Sequence, residues 1–225
     1  MTDSIAIDGP AGAGKSTIAK MVAKELDMIY VDTGAMYRAI AIRTLDRKIL
    51  PDDEKRISKD LTDVNVTIRY KDGLQHVFLN GGDVTGRLRD EATGRRASVV
   101  SKHRCVREKL VDLQQKVAEE DRVIMDGRDI GTKVLPDAVL KIFLTASPEV
   151  RAQRRYDELV ENGIECDFDT ILADIKERDM ADETRKESPL KPAEDAVILD
   201  TSYMTQEEVA EEIINRYKER PVCPT

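Results

Sequence analysis

The sequence predicts an α/β fold built on a five-stranded parallel core sheet. Two observations carry this. Five short apolar, β-branched runs lie at 4–8, 28–32, 122–126, 139–145 and 196–200, and four of the five end in Asp, at Asp8, Asp32, Asp126 and Asp200. Between them run patterns of helical period: Ile18, Met21, Val22 and Leu26 share one face of 15–26, and Val106, Leu110, Leu113 and Val117 recur along 104–119. Strands that are apolar on both faces need helices on both sides, which is a three-layer arrangement.

The stretch 64–88 departs from that rhythm. Val64, Val66, Ile68 and Tyr70 alternate with Asn65, Thr67 and Arg69, then Lys71-Asp72-Gly73 and Asn80-Gly81-Gly82 supply turns. This is hairpin chemistry, and it predicts a small antiparallel sheet inserted between the second and third parallel strands, at the carboxyl edge where open α/β sheets bind ligands.

Length and composition bound the rest. A chain of 225 residues suits a single α/β core with small insertions, and with 40% hydrophobic and 36% charged residues but no Trp its core is filled by aliphatic side chains. A formal net charge of −8 argues against nucleic-acid and anionic-membrane partners, so the expected ligands are small molecules. Cys105, Cys166 and Cys223 form no C-x-x-C pair and are expected to be inert thiols in a reducing compartment. No run approaches the length of a membrane span and no basic leader precedes the first strand, so a cytoplasmic, non-anchored protein is expected. His76 and His103 have no catalytic partners in sequence and are expected to be structural or exposed.

The chemistry begins directly after the first strand. Gly9-Pro10-Ala11-Gly12-Ala13-Gly14-Lys15-Ser16-Thr17 matches G-x-x-x-x-G-K-[ST], in the strand-to-helix context that a P-loop requires. Glycines let the backbone curl until its N–H groups point at phosphate oxygens, and the helix N-terminus adds partial positive charge. Lys15 then supplies a full charge to the β- and γ-phosphates, while the Ser16 hydroxyl suits Mg²⁺. A nucleoside triphosphate, ATP, is the expected donor ligand.

What the nucleotide is for follows from the rest of the chain. A GTPase switch needs N-K-x-D, and none of Asn65, Asn80, Asn162 and Asn215 is followed by Lys. A motor or transporter ATPase is expected to be longer. A small-molecule kinase must gather cations around two anionic substrates, and here the arginines fall near predicted strand ends: Arg38 after the second, Arg128 after the third, and Arg151, Arg154 and Arg155 after the fourth. Arg178 and Arg185 are seven apart, which places them on one helix face with Asp182 between them. Asp126, ending a strand beside the P-loop strand, is expected to hold Mg²⁺ through water, with a local capping role as the alternative.

With these residues in place, the chain resembles the bacterial cytidylate kinases over essentially its whole length. The blocks that carry the likeness are 9–17, Asp32-Thr33-Gly34-Ala35-Met36-Tyr37-Arg38, Ser98 with Arg107, Asp126-Gly127-Arg128-Asp129-Ile130-Gly131-Thr132, and 178–185. The resemblance implies a nucleoside-monophosphate kinase of the P-loop class, with core about 1–38, 96–150 and 186–225, an acceptor-binding insert about 39–95 and a short lid about 151–185. It implies CMP and dCMP as acceptors, gripped at the phosphate by Arg38 and Arg128. It places Ser98, Arg107, Asp129 and Arg185 at the cytosine edge, Arg178 and Asp182 at the ribose, and Thr33 in the acceptor site, where relatives also carry Ser. Arg154 is carried as a lid contact to the ATP phosphates, which of the lid arginines reaches them being open. Cytosine presents an amino donor beside two acceptors, which suits a carboxylate facing the first and Arg or hydroxyl groups facing the others.

The mechanism implied is direct in-line transfer, with Lys15, Arg38, Arg128 and Asp126 as the catalytic set and no covalent intermediate. A monomer is expected. Two alternatives stay open from sequence: a kinase for another acceptor such as UMP, AMP or a hydroxylated metabolite, and a nucleotide-sensing protein with negligible turnover.

Overall fold

The computed structural model describes residues 3–71 and 74–220. In chain order the elements are β1 (Ser4–Asp8), α1 (Lys15–Glu25), β2 (Ile29–Asp32), α2 (Thr33–Asp46), α3 (Glu54–Asp60), β3 (Val66–Lys71), β4 (Leu74–Leu79), β5 (Gly82–Asp83), α4 (Glu91–Val100), α5 (Arg104–Glu120), β6 (Val123–Gly127), β7 (Leu140–Thr145), α6 (Pro148–Glu161), α7 (Phe168–Thr184), β8 (Val197–Asp200) and α8 (Gln206–Glu219). A π-type turn, Ile130–Val134, lies between β6 and β7. The chain divides into two compact units, Met1–Tyr30 with Asp121–Thr225, and Val31–Glu120.

The five-stranded sheet runs in the order β2-β6-β1-β7-β8. β1 is its centre, pairing in parallel with β6 (Asp8 opposite Gly127) and with β7 (Asp8 opposite Phe143). All five residues of β1 are buried, which is why its sequence is an unbroken apolar run up to the terminal Asp. In the first unit Ile18 and Val22 of α1 meet Ile5, Ile7, Ile124 and Leu144 of the sheet, and Ile213 and Tyr217 of α8 complete the cluster. The start of α8 is set by a reciprocal cap between Thr205 and Glu208, which satisfies two backbone donors.

The second unit has its own core. Met36, Ala39, Ile40, Ala41 and Ile42 make α2 buried almost all round, and Ala97, Val100, Val106 and Leu110 pack in the same cluster. Its sheet, β3-β4-β5, is antiparallel as expected, and Asn80 and Gly81 turn β4 into β5 with φ of 49° and 83°. Gly tolerates that left-handed geometry and Asn is the side chain that best approximates it. The strand starts at Val66 rather than Val64, because Leu61–Asp63 form a 3-10 turn whose last N–H bond, from Val64 to Leu61, holds Val64 out of the ladder. Of the Lys71-Asp72-Gly73 turn, Asp72 and Gly73 lie outside the described residues, as does Cys223. Among the described residues no helix is long and apolar enough to cross a membrane.

Candidate functional site: a phosphate loop, a carboxylate–hydroxyl pair and arginine clusters

The loop after β1 is shaped by contacts that leave no room for side chains. Gly9 has φ of 146°, and a Cβ there would stand 2.0 Å from the backbone oxygen of Leu144 in β7. Gly12 and Gly14 hold φ of 77° and 82°, and Gly14 caps α1 with no side-chain bond, so the first N–H groups of that helix are left for an anion.

Lys15 corrects one expectation. A P-loop lysine reads as exposed in sequence, yet its side chain is buried and Nζ donates to the Pro10 carbonyl at 2.6 Å, across the loop it closes. Burial pushes its pKa well down, Arg128 adds to that, and Asp126 and Asp8 pull the other way.

Beside it, Ser16 Oγ donates to Asp126 Oδ2 at 2.8 Å and the Tyr30 hydroxyl donates to Asp126 Oδ1 at 2.9 Å. A hydroxyl and a carboxylate held together are hard oxygen donors. Among the described residues no cluster of three or more His, Cys, Asp or Glu could hold a metal ion by itself. Two protein oxygens without a cage fit Mg²⁺, which keeps waters and takes its remaining ligands from phosphates.

The segment after β6 is braced from β1. Asp8, 4% exposed, accepts from the backbone N–H of Ile130 and Gly131, both at 2.8 Å. Burial raises its pKa to about 6 against those two bonds. Arg128 donates through Nε to Asp182 Oδ2 at 2.9 Å. Burial alone would raise the Asp182 pKa, but Arg128, Arg185 and Arg178 outweigh it and hold the carboxyl below its ordinary range. Arg185 lies within 3.7 Å of Asp182 and 4.0 Å of Asp129.

The arrangement of Arg185 differs from the expectation of one shared helix face. α7 ends at Thr184, and Arg185 is its C-cap with extended backbone (φ −61°, ψ 142°). Its side chain reaches the cluster from beyond the helix, steadied by a 2.6 Å bond from Nε to the Ser188 carbonyl.

The lid arginines separate. Arg151 is buried against the P-loop and α7, Arg154 donates to the Thr201 carbonyl at 2.6 Å, and Arg155 makes an exposed pair with Glu158. A cleft of about 430 Å³ opens beside the P-loop, its walls including Pro10, Thr145, Ser147, Arg151, Asp179 and Asp200.

The second unit carries the other expected residues. Asp32 caps α2 by accepting from Ala35 N–H at 3.0 Å, and its backbone N–H and carbonyl are both held by the side-chain amide of Gln75. Arg38, two-thirds buried, faces Asp32 at 3.9 Å, and Thr33 is buried beside them in sequence. Arg107 is 5% exposed, donates to the Ser101 carbonyl at 3.2 Å and lies over the Tyr37 ring. Ser98 is half-buried on α4, one turn before Ser101, whose hydroxyl donates to its carbonyl.

Comparison with known proteins decides the family. A profile described as cytidylate kinase matches residues 5–219. A cytidylate kinase from Caldicellulosiruptor bescii is 50% identical over 214 residues, 95% of each chain, and one from Bacillus subtilis is 48% identical over 219 residues, covering 96% of this chain and 97% of its own. The chain belongs to the cytidylate kinase family. A solved structure of an uncharacterized protein from Eubacterium ventriosum aligns with 97% of this chain and all of its own at a TM-score of 0.54 and 14% identity, a likeness of fold.

Within this cytidylate kinase family member, three residues of the site escaped sequence reasoning. Asp8 shared its signal, a strand-terminal Asp, with three others, and nothing local separated a brace from a ligand. Tyr30 sits in a strand as any aromatic might. Arg151 was visible only as one of three lid arginines, because its partners at Ala11, Ala146 and Asp179 are distant or backbone atoms. The histidines are structural as expected: His76 pairs with Asp83 and His103 donates to the Pro51 carbonyl. Cys105 and Cys166 are free thiols, and burial raises the pKa of Cys105.

Proposed function

We infer that this chain transfers the γ-phosphoryl group of ATP to CMP or dCMP, giving ADP and CDP or dCDP. The observation that carries the reading is 50% identity to a cytidylate kinase along 95% of both chains. An oxygen of the acceptor monophosphate attacks the γ-phosphorus in line, a P–O bond forms there, and the bond to the β–γ bridging oxygen breaks with its electron pair leaving on ADP. The attacking oxygen is already anionic, so no strong base is needed.

Residues 9–17 cradle the donor phosphates by backbone N–H groups, and Lys15 exchanges the Pro10 carbonyl for β- and γ-oxygens. Ser16 and Asp126 are the residues that would hold Mg²⁺, which when bound supplies charge neutralisation at the phosphates. Arg154 serves the ATP phosphates from the lid. Arg38 and Arg128 hold the acceptor phosphate, a guanidinium fork matching phosphate geometry. Arg178 and Asp182 take the ribose, Thr33 lends a hydroxyl in the acceptor site, and Ser98, Arg107, Asp129 and Arg185 read the cytosine edge.

In this reading residues 39–95 are the acceptor insert, 151–185 the lid, and the protein is a cytoplasmic monomer, consistent with its charge of −8. The test is ADP release with ATP and Mg²⁺ against a panel of CMP, dCMP, UMP and AMP. CMP and dCMP are expected to exceed the other two in kcat/KM by roughly tenfold or more, the cost of one mismatched buried hydrogen bond. Equal use of UMP would overturn the cytosine assignment, and ATP binding without acceptor-dependent turnover would overturn the enzyme.

A further inference from the structure

We propose that the Arg151–Asp179 pair is a positioning element that ties α7 to the phosphate loop and thereby couples donor binding to acceptor binding. The proposal rests on the kinase reading above and concerns how its two substrates sense each other.

Arg151 is the second-turn arginine of α6 and its side chain is 4% exposed. Its guanidinium makes four hydrogen bonds, and they go to three different parts of the first unit. Nε donates to the Ala146 carbonyl at 2.9 Å, at the end of β7. Nη1 is shared between the Ala11 carbonyl at 3.1 Å and Asp179 Oδ1 at 3.0 Å, and Nη2 donates to Asp179 Oδ2 at 2.6 Å. One planar group therefore grips the phosphate loop backbone and α7 at once. The loop is also seated on its stem, since a Cβ on Gly12 would stand 3.2 Å from Arg151 Cβ.

From Asp179 the connection continues along α7. Asp182, one turn further, accepts from Arg128 Nε, and Arg128 follows Asp126, which accepts from Ser16 of the loop. The polar path thus leaves the loop at Ala11 and returns to it at Ser16. A helix held at Asp179 and Asp182 to two points connected with one loop cannot shift while the loop stays still, nor can the loop re-form around phosphates without moving that helix.

A buried ion pair is weak evidence for stability alone, because desolvation offsets much of its attraction. The specific feature is the sharing of Nη1 between loop and helix. Lys keeps the charge but cannot fork, so it can hold one partner and not both.

The experiment measures the affinity of CMP by calorimetry with and without a non-hydrolysable ATP analogue and Mg²⁺, in wild type, Arg151→Lys, Asp179→Asn and the double variant. Wild type is expected to bind CMP about fivefold or more tightly when the analogue is present, a typical size for coupling between sites. That ratio should fall to near one in each single variant and fall no further in the double variant. Asp179→Asn is isosteric and keeps the measurement open if Arg151→Lys fails to fold. A purely structural pair would lower Tm and leave the ratio untouched, and that result overturns the proposal, as does a wild-type ratio of one. If CMP-dependent ADP release persists while the ratio is unaffected, only the coupling falls. If CMP is not turned over at all, the function reading falls and takes the coupling with it.

Discussion

Lys15, Asp8 and Asp182 are three charged groups taken out of water for three different reasons. Lys15 closes its own loop by donating to Pro10, so removing its side chain costs the site a charge but leaves a backbone carbonyl that can turn to solvent. Lys15→Ala is expected to lower kcat/KM by about 10²–10³-fold with an unchanged circular dichroism spectrum, the scale of losing one preorganised transition-state donor. Asp8 is a brace whose folded pKa, about 6, lies above its ordinary 3.8. Its stabilising contribution is therefore fully present below about pH 4 and is lost as pH rises towards 6, a swing on the order of 3 kcal/mol. Urea unfolding of wild type and Asp8→Asn at pH 4 and pH 7 should show that swing in the wild type and a flatter profile in the variant. Asp182, held ionised by Arg128, is placed to accept from a 2′-hydroxyl. Asp182→Ala should lower kcat/KM for CMP roughly five- to tenfold more than for dCMP. An unchanged ratio of the two would leave Asp182 as a partner of Arg128 alone.

At the scale of elements, the phosphate loop is set by what lies behind it. Gly9→Ala places a methyl 2.0 Å from a backbone oxygen of β7 at a φ of 146°, and neither strand can yield without breaking its ladder. The loop must move instead, and ATP affinity measured by calorimetry is expected to fall about tenfold or more. Most element boundaries were legible because their causes are local. β1 is an apolar run stopped by Asp and Gly, α1 begins at the glycine loop, and the turn at Asn80-Gly81 needs positive φ at both residues. The end of α7 was not legible. Thr184 and Arg185 carry no glycine or proline stop, and the helix ends there because Arg185 turns its side chain towards Asp182 and Asp129 while the Leu190 N–H returns to the Asp182 carbonyl.

For the molecule as a whole, two separate hydrophobic clusters hold the two units, and the phosphate loop belongs to the first. A ligand that binds only the folded state adds stability by mass action, about 2.7 kcal/mol at a hundred times its Kd. ATP with Mg²⁺ should therefore raise Tm of the wild type by several degrees, and Lys15→Ala should lose most of that rise. The sequence by itself determined the fold class, the order of strands and helices, the phosphate loop and the blocks that mark a cytidylate kinase, since each of these rests on short-range pattern: side-chain period, backbone freedom at glycine, residues contiguous in the chain. Only the tertiary structure decided which charges are buried and what each one touches. Asp8 meets Ile130 and Gly131, Arg151 meets Ala11 and Asp179, and Tyr30 meets Asp126 across separations of more than twenty-five residues. Such partners are chosen by which strands lie side by side and which helices cover them, and a carboxylate or guanidinium has the same letter whether it braces a turn, grips a loop or faces water.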